Sequence, residues 1–148
     1  MLAIGAGSGL GRNKSELPIW NLKTQRLILI PKAGAELVAL SPDGRTVASL
    51  WVDHVRLWST ETGELLNTIR ARGFVYWTAF SKDGRNLAVA SKDIQMWNLA
   101  TSREVATFLP GARSAFVGFS PDGRSLIGGR VGEAYLWTAA NDEELRHK

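Results

Sequence analysis

The chain has 148 residues, 45% of them hydrophobic and 22% charged, the balance of a globular domain long enough to bury a core. It contains no Cys, which excludes disulfides, thiolate metal sites and a cysteine nucleophile; its formal charge of +4 is a small surplus that reads as solubility before it reads as nucleic-acid binding. No apolar run approaches the ~18 residues that cross a bilayer, and the small apolar start, Met1 to Gly11, lacks the basic beginning and long apolar centre of a secretory signal.

Along the chain, apolar residues come in short runs of strand length without a 3.6-residue helical period. Leu2 lies in the first run; a long segment from Gly5 to Leu17 follows, then a strand ending at Trp20. A full unit comes next: Leu37 to Leu40, the turn Ser41-Pro42-Asp43-Gly44-Arg45, Thr46 to Leu50, His54 to Trp58, a polar turn from Ser59 to Gly63, and Glu64 to Ile69. The next unit has Val75 to Phe80, the turn Ser81 to Arg85, Asn86 to Ala90, Ile94 to Trp97 and Glu104 to Leu109. The last has Ala115 to Phe119, the turn Ser120 to Arg124, Ser125 to Gly129 and Ala134 to Trp137. A polar tail, Thr138 to Lys148, ends the chain, with room for one helical turn around Asp142 to Leu145. In each turn Asp-Gly is expected to reverse the chain, because Gly supplies positive φ and Asp tolerates it.

Two independent markers share one period. The turn serines Ser41, Ser81 and Ser120 are 40 and 39 residues apart, and Trp20, Trp58, Trp97 and Trp137 are 38, 39 and 40 apart. Self-similarity at one period means stacked structural repeats, and four short antiparallel strands per period make one blade of a β-propeller. The Ser-Pro-Asp-Gly turn and the Leu-Trp-Ser/Asn strand end resemble the WD-repeat family over essentially the whole chain. That resemblance implies an all-β fold, a partial β-propeller of about 3.5 four-stranded antiparallel blades: blade 1 partial over 1–30, blade 2 over 37–69, blade 3 over 75–109, blade 4 partial over 114–137, and a tail over 138–148. It also places the small Ala39, Ala79 and Gly118 on crowded inner strands, and Leu40, Phe80, Phe119 and the repeated Trp in the packing between sheets.

The chain departs from the family's pattern. The usual Trp-Asp ends are replaced by Trp20-Asn21, Trp58-Ser59, Trp97-Asn98 and Trp137-Thr138. The family's buried network of His, Ser or Thr, Asp and Trp has its nearest counterpart in Ser49, Asp53 and Trp58, without the His; the third repeat has Asp93 one residue nearer its Trp97, and the fourth has Gly132 at the Asp position. Leu2 aligns with Val47, Leu87 and Leu126, so the innermost strand of the first unit is expected to be absent. The expectation is a C-terminal part of a larger ring, completed by missing blades or by other copies.

Chemistry-bearing motifs are sparse. Gly5, Gly7, Gly9 and Gly11 miss the dinucleotide spacing, with Leu10 at the third Gly position and a Trp-ended strand following instead of a helix. His54 and His147 are the two histidines, in no metal-ligand spacing. No G-x-S-x-G elbow occurs. Asp43, Asp83 and Asp122 recur in turns that favour Asp for backbone reasons. No catalytic residue, cofactor or metal is expected.

By the family resemblance, loops joining second to third and fourth to first strands share one rim. Those loops carry Arg12, Lys14, Lys32, Arg70, Arg72, Lys92, Arg113 and Arg130 against Glu16, Glu36, Asp53, Asp93 and Glu133. The first is enlarged: Leu2 to Trp20 spans 18 positions where the matching spans are 11, 10 and 11. Insertions on one face of a repeat protein often mark its binding face, so Arg12, Lys14, Arg70, Arg72 and Trp77 are the expected contact residues for a protein partner, one of acidic character suiting the charge. The resemblance implies a cytoplasmic protein-interaction scaffold without catalysis. The alternatives are a regulatory or substrate-recruiting C-terminal part of a larger enzyme such as a protein kinase, and nucleic-acid binding through the basic rim, against which stands the lack of evident exposed aromatics.

Overall fold

The computed structural model describes residues 2–4, 16–22, 24–30 and 38–139. Every regular element among them is a strand, and the fourteen strands form four antiparallel sheets in chain order. Sheet 1 comprises β1 (Leu2–Ile4), β2 (Leu17–Asn21) and β3 (Arg26–Ile30). Sheet 2 comprises β4 (Val38–Leu40), β5 (Thr46–Trp51), β6 (His54–Ser59) and β7 (Leu65–Arg70). Sheet 3 comprises β8 (Trp77–Phe80), β9 (Asn86–Ala90), β10 (Ile94–Asn98) and β11 (Arg103–Phe108); sheet 4 comprises β12 (Phe116–Phe119), β13 (Ser125–Arg130) and β14 (Glu133–Thr138). Each sheet is a meander in which sequence neighbours pair. Strand β8 lies against both β4 and β12, so the first strands of sheets 2, 3 and 4 are gathered side by side.

The repeated Asp-Gly turns share one geometry. In the first, Ser41 N–H donates to Thr46 O (2.9 Å), Gly44 N–H donates to Ser41 O (2.9 Å), and Gly44 takes φ 73°. In these three turns Gly44, Gly84 and Gly123 take the positive φ and the aspartates do not. Asp43 works through its carboxylate, accepting from Ser41 Oγ (2.6 Å) and Arg45 N (3.0 Å), while Ser41 Oγ accepts from Thr46 N (2.9 Å). Asp83 repeats this with Ser81 and Arg85, and Asp122 with Ser120 and Arg124. The donated serine hydroxyl, then the backbone N–H, hold all three carboxyls below the ordinary aspartate value.

The core lies between the sheets, and one joint recurs three times. Residues on alternate sides of a strand face opposite neighbours. In sheet 2, Val47 and Trp58 are paired and cluster with Leu17, Ile19 and Ile30 of sheet 1. Their chain neighbours Ala48 and Leu57, with Leu50, Val55 and Ile69, turn the other way and cluster with Leu87, Val89, Phe80 and Trp97 of sheet 3. Sheet 3 does the same: Ala88, Ala90, Ile94 and Met96 meet Val117, Leu126 and Trp137 of sheet 4. A Trp and its paired apolar residue therefore always press backward onto the preceding sheet.

The polar wiring behind the tryptophans differs from joint to joint. Trp58 Nε1 donates to Ser49 Oγ at 2.9 Å inside the core. Asp53, expected in the same network, instead accepts from His54 Nδ1 (2.9 Å) and pairs with Arg70 (3.3 Å). Val89 holds the place of Ser49 in sheet 3, two residues beyond the Trp-paired position, and Trp97 Nε1 is buried without a hydrogen-bond partner. In sheet 4 the same place is Gly128. A Cβ there would come within 2.3 Å of Ile94 Cδ1 and 3.1 Å of Phe116 O, so Ile94 of sheet 3 fills the space that a side chain would take.

Ser49→Ala strips the acceptor from a buried indole N–H and is expected to cost about 1–3 kcal/mol. Val89→Thr offers Trp97 the missing acceptor and is expected to be milder than Val55→Thr in the same cluster; equilibrium urea unfolding compares all three. The turn aspartates set an acid limit. Their folded pKa lies below the unfolded value, so their stabilisation is complete above the ordinary aspartate range and fades as pH falls through the lowered value. Asp43→Asn, Asp83→Asn and Asp122→Asn together should lower the melting temperature at neutral pH and flatten its decline in acid, as read by circular dichroism.

Candidate functional site

The turns at the end of the sheets opposite the Asp-Gly turns are tied into one rim by backbone hydrogen bonds. The segment leading from sheet 2 to sheet 3 is held by Ala71 N–H to Asp53 O (2.8 Å), Val75 N–H to Val52 O (2.7 Å) and Tyr76 N–H to Ala90 O (2.9 Å). The segment leading from sheet 3 to sheet 4 is held by Arg113 N–H to Lys92 O (2.9 Å) and Ala115 N–H to Gly129 O (2.7 Å). Each crossing segment thus grips the rim turns of the sheets it joins.

Val75 is the buried anchor of the first crossing, packed into the core between sheets 2 and 3. Around it, Phe74, Tyr76 and Trp77 are 48%, 40% and 46% exposed. The Phe74 and Tyr76 rings lie 5.1 Å apart, tilted by 53°. In the adjoining turn, Trp51 and Val52 are also exposed, and Arg56 stands over the Trp51 ring at 5.9 Å. Val52 has φ 30°, an unfavourable region for a β-branched side chain, and this backbone strain sits where its carbonyl receives Val75. Such strain persists only where surrounding structure enforces it, and it concentrates at functional segments. A depression of about 580 Å³ beside this turn is lined by Asp53, His54, Arg56, Trp58, Leu65, Thr68 and Arg70.

The expected contact residues are distributed unevenly. Arg12 and Lys14 lie outside the described residues, as do Lys32, Glu36, the four spaced glycines and the helical turn expected near Asp142. Arg70, at the end of β7, has a side chain 84% exposed and pairs with Asp53. Trp77 begins β8 opposite Ala90 and is exposed. Arg72 is bound within the chain. Its Nη1 donates to Asp93 Oδ2 (3.0 Å) and Thr107 Oγ1 (3.2 Å), and its Nη2 to both oxygens of Glu104 (2.9 Å each). Gln95 completes the network, donating to Glu104 Oε2 (2.9 Å) and accepting from Arg72 N (3.1 Å). Burial alone would raise the Glu104 carboxyl, but hydrogen bonds from Thr107 and Gln95 and the Arg72 charge outweigh it and hold it below its usual value. The hydrogen bond to Asp93 and the two carboxylate charges raise Arg72 above the ordinary arginine value.

Of the aromatics on this surface, sequence reasoning named Trp77 alone. Exposed aromatics, not evident from the chain, are present: Trp51, Phe74, Tyr76 and Trp77 on the rim, and Trp20 on sheet 1. The available signal was the unbroken run Phe74-Val75-Tyr76-Trp77, too continuous for a strand whose alternate residues would all be covered. Among the described residues, no group of three or more His, Cys, Asp or Glu is placed to hold a metal ion. Comparison of the chain with protein-family models and with curated proteins returns no match.

The two neighbouring arginines should separate by experiment. Arg72→Ala removes the ion-pair partner of the buried Asp93 and the doubly bonded partner of Glu104, and should lower the thermal unfolding midpoint clearly, whereas Arg70→Ala should leave it close to that of the native chain. Arg72→Lys should recover only part of the loss, because an ammonium cannot form the paired contacts of a guanidinium; differential scanning fluorimetry ranks the three.

Proposed function

We propose that the four sheets are blades of a WD-repeat-type β-propeller and that the chain acts as a protein-interaction scaffold, with the aromatic and basic rim as its contact surface. The observation that carries this reading is the ridge of Phe74, Tyr76 and Trp77, anchored by Val75 yet about half exposed. Tyr and Trp are among the side chains that dominate binding energy at protein interfaces. The in-phase Ser-Pro-Asp-Gly turns and strand-end tryptophans, the four-stranded meanders of sheets 2 and 3 and the gathered first strands support the propeller reading.

The same side chains give a second reading some ground, since aromatics beside arginines also stack single-stranded nucleic acid. Protein contact is favoured because Arg72 is already neutralised by Asp93 and Glu104 and Arg70 by Asp53, leaving the aromatic ridge rather than a strong positive field.

A partner captured with the native chain should be lost or weakened at least tenfold, about 1.4 kcal/mol or more, by Tyr76→Ala with Trp77→Ala. Arg45→Glu with Arg85→Glu, at the opposite turns, should leave capture intact. Equal capture by the native chain and the aromatic variant would overturn the assignment of the rim. Binding to an oligonucleotide that weakens steeply with salt would favour the second reading.

A further inference from the structure

Among the described residues, the two end sheets each have one apolar face that no other sheet covers, and the two faces are the halves of the joint that recurs inside the molecule. At every internal joint the backward face presents a Trp and the forward face of the preceding sheet receives it. Trp58 shares a cluster with Ile19 of sheet 1, Trp97 packs on the cluster of Leu57, and Trp137 packs beside Met96. Trp20 is the matching residue of sheet 1 by repeat spacing and strand position. It is 41% exposed where Trp58 is 7%. At the other end, Leu136 of sheet 4 corresponds to Leu57 and Ile127 to Ala48, paired in the same register. Leu57 and Ala48 are buried, but Leu136 is 67% and Ile127 44% exposed.

We infer that these faces bind each other between copies of this chain, the Trp20 face of one copy seating on the Leu136 face of the next. The template is the joint already made three times within one molecule. Each copy then has a donor face at one end and an acceptor face at the other, a head-to-tail contact that closes into a ring where the rotation permits and otherwise extends as a filament. Two copies bring eight sheets, within the range of closed propellers. Each uncovered apolar face is hidden without new chemistry. This contact is independent of the partner rim: it uses sheet faces rather than turns, and either can fail without the other.

Light scattering on the full chain across a micromolar dilution series provides the test. The native protein should have a mass that is a multiple of the 16.2 kDa chain. Trp20→Asp and Leu136→Asp alter exposed residues and should each weaken self-association at least tenfold. Mixed together, they should form a one-to-one dimer and nothing larger, because each retains the face that the other has lost. A folded native protein of single-chain mass throughout the series would overturn the inference, as would Leu136→Asp that associates like the native chain. A second measurement avoids burying a charge. The chain has no Cys, so mixing equal amounts of Trp20→Cys and Leu136→Cys under mild oxidation should yield the mixed disulfide well beyond the twofold excess over each symmetric one that random pairing gives. A statistical distribution of the three would argue against the head-to-tail contact.

Discussion

The structure depends on one constraint: a thin sheet with two apolar faces must have a neighbour on each side. In sheet 2, Val47 and Trp58 point one way and Ala48 and Leu57 the other, so neither face can be left to water without exposing a stripe of hydrophobic surface. Stacking removes both stripes at once. Because every sheet uses the same strands for the same sides, the joints repeat, and the in-step period of turns and tryptophans is the trace of that repetition in the chain. The Ser-Asp-Gly turns serve this arrangement by fixing the register of the first hairpin, so that small residues such as Ala48 and Ala88 fall where the sheets approach.

Hydrogen bonding behind the tryptophans is secondary to this packing. One indole has a serine acceptor, one is buried without a partner, and in the last sheet the corresponding site is a glycine filled by Ile94 from the adjoining sheet. The three solutions coexist because the joint rests mainly on apolar contact, which tolerates the exchange of Ser, Val and Gly when neighbouring side chains adjust. The charged network of Arg72, Asp93, Gln95 and Glu104 does another task, tying the crossing segment to the turn and outer strands of sheet 3. It places Val75 in the core and thereby leaves Phe74, Tyr76 and Trp77 raised on the rim.

The proposed contact surface would rest on rigid sheets. The crossing segments from sheet 2 to sheet 3 and from sheet 3 to sheet 4 are gripped by backbone hydrogen bonds to the turns they pass, and Phe74, Tyr76 and Trp77 therefore project from fixed backbone. Little ordering would be needed on association, which is what allows a few aromatic anchors to contribute much of an interface's energy. The strained Val52 lies at the point where two of these segments meet.

Local pattern carried the all-β character, the positions of most strands to within a residue or two, and the turn chemistry, because these depend on side-chain alternation and on glycine's access to positive φ. It also placed Arg70 and Trp77 at strand ends, where the structure leaves both exposed, since terminal positions and loop charge can be read along a chain. Tertiary structure alone decided which apolar residues are covered. Trp20 and Trp58 occupy equivalent places in the sequence, yet one is half open and the other buried, because burial belongs to the neighbouring sheet rather than to the residue. The same reason separates Arg72 from Arg70: two positions apart in the chain, they face different partners, and only the fold brings Asp93 and Glu104 to the first.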